Sequence, residues 1–151
     1  MLRLLPRLSA ALSGLWLGGL LTLGGVVAPT AFALLERPLA GRLAGACFKA
    51  EAHIALALAV ALFVMERFLA RARARQGGGS LFSANMLLAQ GALFCTVVGY
   101  FALQPMMEAA RQSAQGAASF ALLHGASSAL FAVKGLLVAA LFWRSLSRLP
   151  G

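Results

Sequence analysis

The chain has 151 residues, of which 61% are hydrophobic and 11% are charged. Soluble proteins use about 45–50% apolar and about 25% charged residues. A domain of this size exposes too much surface to hide such an apolar excess from water. The composition therefore excludes a soluble enzyme, a disordered tail and a disulfide scaffold, and it predicts an integral membrane protein.

The net charge is +9, from 13 basic and 4 acidic residues. The basic residues flank apolar stretches and do not interleave with aromatic residues, so no nucleic-acid partner is expected. The two cysteines, Cys47 and Cys95, form no CxxC motif. Because the sequence also contains no nucleophile triad, phosphate loop or carboxylate dyad, it favours a non-enzymatic role as a structural, transport-associated or partner-binding module.

The first apolar stretch lies between Arg7 and Glu36 and predicts a membrane span over about 9–34. A signal peptide is the competing interpretation, because basic residues precede the stretch and Ala31-Phe32-Ala33 is similar to a cleavage site. We favour a retained helix, since the apolar core of a signal peptide has only about 7–15 residues.

Small residues recur on one face of this first helix. They allow helices to approach closely in lipid, where apolar burial between helices gains little. This face is therefore expected to be a packing seam, and it contains Gly14, Gly18, Thr22, Gly25 and Pro29. The opposite face is expected to contact lipid, and it contains Leu12, Trp16, Leu20, Leu23 and Val27. Pro29 removes a backbone donor and is expected to kink the outer half of the helix.

The second apolar stretch is short, because Glu51 and Glu66 bound it. A full span over about 48–69 requires that charged ends lie at headgroup depth, where long side chains extend toward water. The glycine-rich sequence that begins at Gln76 predicts a flexible cytoplasmic linker over about 70–82.

Two further spans are predicted over about 83–105 and 118–143. The third helix is expected to turn a small and polar face inward, formed by Asn85, Ala89, Ala92, Thr96 and Gly99. The fourth is expected to turn a polar arc inward, formed by His124, Ser127, Ser128 and Lys134, because a lipid-facing lysine costs about 2.5–3.5 kcal/mol. The predicted fold class is all-α, an integral membrane four-helix bundle.

An even number of spans places both termini on one side of the membrane. Eight basic residues share that side: Arg3, Arg7, Arg67, Arg71, Arg73, Arg75, Arg144 and Arg148. By the positive-inside rule, this side is the cytoplasm of a bacterial inner membrane. The expected partners are the lipid bilayer and either a second copy of the chain or another membrane protein.

Several residues with metal-binding or polar side chains are predicted at similar depth in the outer half. These are His53, His124, Glu51, Cys47, Gln104, Met106 and Met107. A group of cysteine, histidine and methionine suits copper, and two facing histidines suit haem iron. The alternative is structural: histidines that bond neighbouring carbonyl groups and methionines that fill a helix end.

Lys134 is expected to find a carboxylate, carbonyl groups or water within the membrane. Glu66 is the only acid on the predicted cytoplasmic half, so an ion pair between Lys134 and Glu66 is predicted. The alternatives are a lysine that extends into a cytoplasmic crevice and a proton or substrate relay.

Three short motifs resemble a bacterial membrane family of unknown function related to the eukaryotic transmembrane-protein-205 family. They are Trp16-Leu17-Gly18-Gly19, Val27-Ala28-Pro29-Thr30-Ala31-Phe32 and Leu123-His124-Gly125-Ala126-Ser127-Ser128. The chain is also distantly similar to copper-resistance D proteins and to the four-helix haem-dependent protoporphyrinogen oxidase. The resemblance implies four helices and no agreed activity, and it favours a haem- or copper-handling alternative at His53 and His124.

Overall fold

The computed structural model describes residues 4–78, 80–113 and 116–149. Four helices in these residues are long and apolar enough to cross a membrane. They are α1 (Leu5–Leu34), α2 (Arg37–Arg75), α3 (Ala84–Gln112) and α4 (Ala117–Leu146). The prediction of an all-helical, four-helix membrane protein is confirmed. Short connections make consecutive helices antiparallel neighbours.

Helix α2 is longer than the predicted span over 48–69, because it begins at Arg37 and ends at Arg75. Residues 70–75 are therefore helical, and the predicted linker over 70–82 is correspondingly shorter. Alanine and arginine favour helix, so the helix continues beyond the apolar segment from which the span was predicted. Gly77 follows with a φ of 78°, the left-handed conformation that ends many helices.

Helices α1 and α3 each contain a π-helical segment just before a proline. The first covers Leu23–Val27 and precedes Pro29, and the second covers Val97–Ala102 and precedes Pro105. A proline cannot donate to the carbonyl group four residues earlier. In both helices that carbonyl lies inside the π segment, which is where the regular hydrogen-bond ladder changes register.

The four helices form a ring in which each helix packs against two neighbours. Helix α4 lies between α1 and α3, and α2 lies between α3 and α1 on the other side. Among the described residues, the diagonal pairs α1–α3 and α2–α4 make no close backbone contact. Any direct link across the diagonal must therefore come from long side chains.

The middle of the bundle is an apolar layer in which small residues face large ones. Ala55, Ala59, Ala89 and Ala92 pack against Trp16, Leu20, Leu62, Val138 and Leu141, and every one of these side chains is buried. This layer separates a polar cluster near the chain termini from a cavity at the opposite end of the bundle.

The predicted inward face of α3 is confirmed, because all five of its residues are buried: Asn85, Ala89, Ala92, Thr96 and Gly99. The lipid-facing side predicted for α1 is wrong for Trp16, Leu20 and Leu23, because all three are buried. Of the predicted seam, Gly14 is half-buried against Phe142, whereas Gly18, Thr22, Gly25 and Pro29 are exposed in the bundle. In lipid, large apolar side chains are equally stable on either face, so their placement depends on packing partners.

Candidate ligand cavity and its ion pairs

A cavity of about 780 Å³ opens among the four helices at the end opposite the termini. All four helices contribute to its wall, for example through Ala28, Phe48, Gly99 and Phe131. At its base, toward the middle of the bundle, lie Glu51 and Lys134. The cavity therefore connects the surface of the protein with a pair of buried charges.

Lys134 and Glu51 form an ion pair across the bundle. The ammonium Nζ of Lys134 donates to both carboxylate oxygens of Glu51, at 2.9 Å to Oε1 and 2.7 Å to Oε2. The two side chains are only 5% and 13% exposed. The indole Nε1 of Trp16 also donates to Glu51, at 3.4 Å. This pair supplies a direct link between the diagonal helices α2 and α4.

The predicted ion pair between Lys134 and Glu66 is therefore wrong. Because α2 begins at Arg37, Glu51 lies about 20 Å along its axis, at the depth of Lys134 and not at headgroup depth. Glu66 lies fifteen residues farther along the same helix, on the other side of the apolar layer.

Glu66 is the centre of a second polar cluster near the chain termini. Its carboxylate accepts hydrogen bonds from Arg148 at 2.8 Å, Ser9 at 3.1 Å, Asn85 at 3.2 Å and Ser83 at 3.5 Å. Glu66 itself is 1% exposed, and Arg148 is 25% exposed at the side chain. The carboxylate thus joins α1, α2 and α3 to the end of the chain.

The Phe131 ring covers the ammonium group of Lys134. The Phe131 ring lies 5.1 Å from Lys134 Nζ and meets the Phe48 ring edge to face at 5.3 Å between centroids. Gly24 makes room for Phe131, since a Cβ atom there would lie 2.9 Å from the ring. The ring faces stabilise the ammonium by a cation–π interaction and limit its contact with water.

Besides Lys134, four basic residues line the cavity: Arg37, Arg42, Lys49 and Arg111. Arg111 pairs with Glu108 at 3.6 Å, and its guanidinium group lies 4.6 Å from the centroid of the Phe120 ring. The other three cations, all within the first thirteen residues of α2, have no carboxylate within ion-pair distance in the described residues.

The histidines and methionines predicted to bind metal or haem occupy different surroundings. His124 lines the cavity and stacks on Phe120 at 5.8 Å, and Met107 also lines the cavity. His53 is exposed, and its Nδ1–H donates to the carbonyl oxygen of Lys49 at 2.7 Å. Met106 is 52% exposed. Within the described residues, no group of three or more His, Cys, Asp or Glu side chains is placed to hold a metal ion.

The remaining predicted polar residues all lie at the cavity. Ser127 donates from its hydroxyl to the carbonyl oxygen of Gly99 at 3.0 Å, inside the second π segment. Ser128 and Gln104 line the wall, and Gln104 donates from Nε2 to Glu108 at 3.2 Å.

Sequence reasoning missed Arg37, Arg42 and Lys49 as site residues, and it placed Glu51 too near the surface. A signal was available, because all four residues lie within α2. From the sequence alone, the charged residues at the start of α2 are interpreted only as residues that flank a membrane span. A helix that begins as early as Arg37 places several of them toward the bundle.

The fold and the burial pattern define this chain as a multi-pass membrane protein built on a four-helix bundle. Residues 11–116 match the family model described as "Domain of unknown function (DUF4149)". Because the match covers more than half of the chain, the chain belongs to this family. No curated protein and no solved structure matches it.

Proposed function

We propose that this chain is a non-enzymatic protein of the bacterial inner membrane that binds a ligand in the cavity, in a transport-associated or partner-binding role. The cavity itself carries the proposal, since about 780 Å³ of space leads from a charged rim to a buried ion pair. Small-molecule sites typically have volumes of about 300–1,000 Å³, with mainly apolar walls and a few converging polar groups.

The orientation is part of the proposal. The basic residues concentrated at the end of the bundle that carries the termini support a cytoplasmic location for both of them. The cavity lies at the opposite end and would then open toward the periplasm. A ligand would enter from that side and stop at the apolar layer.

Labelling of Cys95 tests both the cavity and the orientation. Cys95 lines the cavity, so in a Cys47→Ser variant it is the one thiol that reports on it. We expect a membrane-impermeant methanethiosulfonate reagent to label Cys95 when it is added outside spheroplasts, but not when it is added outside inverted vesicles, where it reaches only the cytoplasmic face.

Two controls make this experiment decisive. A cysteine at Ala89, which is 0% exposed in the apolar layer, should stay unlabelled in a chain without the native cysteines. A cysteine at the exposed Ser119 should be labelled from the same side as Cys95. If Ser119→Cys reacts from outside and Cys95 does not, the cavity is closed and the proposal fails. Labelling of both from inside would reverse the orientation.

The relation to the transmembrane-protein-205 and copper-resistance D families, and the haem or copper role at His53 and His124, stay predictions of the sequence. A visible spectrum and metal analysis of the purified protein test the cofactor. A Soret band or stoichiometric copper that is lost in His124→Ala would favour that role over the one proposed here.

A second copy of the chain or another membrane protein also stays a proposed partner. The exposed face of α1 that contains Gly18, Gly25 and Pro29 supports it, because small residues allow close helix approach in lipid. Disulfide cross-linking through Gly18→Cys in a background without the native cysteines would detect a paired copy. If only monomer is detected after cross-linking, this pairing is contradicted.

A further inference from the structure

We propose that the ligand of this cavity is an amphiphilic anion with one acidic headgroup and an apolar body. This inference rests on the proposed function, and it assigns the headgroup to a basic rim formed by Arg37, Arg42 and Lys49, which follow one another along about 18 Å of the axis of α2. The apolar body would lie along the wall beside this rim, against rings such as those of Phe48 and Phe131.

The charges of the residues that line the cavity favour an anionic ligand. The two carboxylates of the lining are already engaged, Glu51 by Lys134 at 2.7 Å and Glu108 by Arg111 at 3.6 Å. The three rim cations on α2 have no carboxylate partner among the described residues, so an excess of positive charge faces the cavity. A pocket lined by one sign of charge concentrates ligands of the opposite sign.

The position of these cations strengthens the argument. In the proposed orientation they lie on the periplasmic side, where the positive-inside rule disfavours basic residues. Helix α2 nevertheless carries three of them within its first thirteen residues, and all three line the same cavity. A binding role for the cations explains why they converge at that end of the helix.

The other residues that line the cavity favour a ligand with an apolar body. Beside the rim the wall contains Phe32, Ala44, Phe48, Met107 and Phe131. Lys134 does not offer a free charge there, because Glu51 neutralises it and Phe131 covers it. A headgroup at the rim and a chain or ring system beside it therefore satisfy both parts of the lining.

Protection of Cys95 measures this binding directly. The Cys47→Ser protein in phosphatidylcholine nanodiscs is treated with the neutral thiol reagent N-ethylmaleimide. We expect dodecanoate to slow the labelling of Cys95, and uncharged dodecanol and cationic dodecyltrimethylammonium to slow it much less. Added salt should weaken the protection, because it screens charges at an exposed rim. Protection by phosphatidylglycerol in the nanodisc, without free acid, would identify the source of the anion as a membrane lipid.

Matched triple variants test the role of the rim. Arg37→Gln, Arg42→Gln and Lys49→Gln together should raise the dodecanoate concentration for half-protection about tenfold. Arg71→Gln, Arg73→Gln and Arg75→Gln remove the same charge from exposed positions at the other end of α2 and should leave it unchanged.

The outcomes separate the two proposals. If Cys95 does not react even in the ligand-free protein, the cavity is closed and both proposals fail. If Cys95 reacts but dodecanol or the cationic amphiphile protects it as well as dodecanoate does, only the ligand class is wrong. An equal effect of the two triple variants would likewise overturn the assignment to the rim.

Discussion

The two ends of this bundle stabilise a buried carboxylate in different ways. Near the termini, Glu66 accepts four hydrogen bonds from donors spread over different parts of the chain. At the cavity base, Glu51 depends on Lys134, with Trp16 as a longer third bond. The terminal cluster is therefore redundant, whereas the central pair depends on one cation.

This difference fits the space around each carboxylate. Around Glu66 the helices converge and small hydroxyl groups fill the gaps, and only a smaller space of about 310 Å³ adjoins it. Around Glu51 the helices enclose the large cavity, so few side chains can reach the carboxylate.

The largest effect is expected when the central pair is broken. Lys134→Met leaves Glu51 buried without its cation and should lower the free energy of unfolding by about 3–5 kcal/mol. The value is measured by unfolding the detergent-solubilised protein with sodium dodecyl sulfate. Adding Glu51→Gln to Lys134→Met should recover a large part of the loss. A loss below about 1 kcal/mol for Lys134→Met would show that water in the cavity replaces the lysine.

A smaller loss is expected at the terminal cluster. Glu66→Gln removes the charge but keeps an acceptor oxygen, and Arg148, which is 25% exposed, can be hydrated. We expect a loss of about 1.5–3 kcal/mol in the same titration, the range for hydrogen bonds to charged groups. A loss greater than that of Lys134→Met would contradict the redundancy inferred for this cluster.

Two glycines test how tightly each end is packed. A Cβ atom at either Gly14 or Gly24 would lie 2.9 Å from a phenylalanine ring, of Phe142 and Phe131 respectively. The Phe131 ring borders the cavity and can move into it, so Gly24→Ala should cost less than about 1 kcal/mol, whereas Gly14→Ala should cost about 1–3 kcal/mol. Thermal unfolding followed by circular dichroism compares them, with Gly18→Ala as a control where the space is open. Equal losses of stability for Gly14→Ala and Gly24→Ala would show that the Phe131 ring cannot move into the cavity.

A small effect is also expected at the cavity wall. Ser127→Ala removes the hydrogen bond to the Gly99 carbonyl in the π segment and should cost about 0.5–1.5 kcal/mol. The adjacent Ser128 is exposed and provides the matched control, because Ser128→Ala should leave the melting temperature unchanged. Indistinguishable melting temperatures for the two variants would show that the π segment does not need Ser127.

The sequence predicted the parts of the fold that follow from composition and spacing. The apolar stretches predicted four helices, and the small and polar spacing on α3 predicted its buried face. The faces of α1 were not predictable in the same way, because a leucine is as stable against lipid as against protein. Trp16 carried one useful signal, since a tryptophan within a membrane favours a partner for its indole N–H. Its bond to Glu51 accords with that preference.

The partner of Lys134 depended on helix length, which apolar spacing does not determine. Because α2 begins at Arg37, Glu51 lies at the depth of Lys134, and Glu66 lies far from it along the helix axis. The convergence of Arg37, Arg42 and Lys49 on one cavity depends on the same early start of α2 and on the position of three other helices. Such convergence is a tertiary property that a single sequence does not display.

The central ion pair also constrains how the chain is made. Glu51 leaves the ribosome 83 residues before Lys134, so α2 enters the membrane well before its cation has been synthesised. Until then its carboxylate must stay hydrated or carry a proton, since an unpaired charge in hydrocarbon is costly. Completion of the fold therefore awaits the last helix. A chain truncated before α4 would present quality-control proteases with an acid that has no counter-ion.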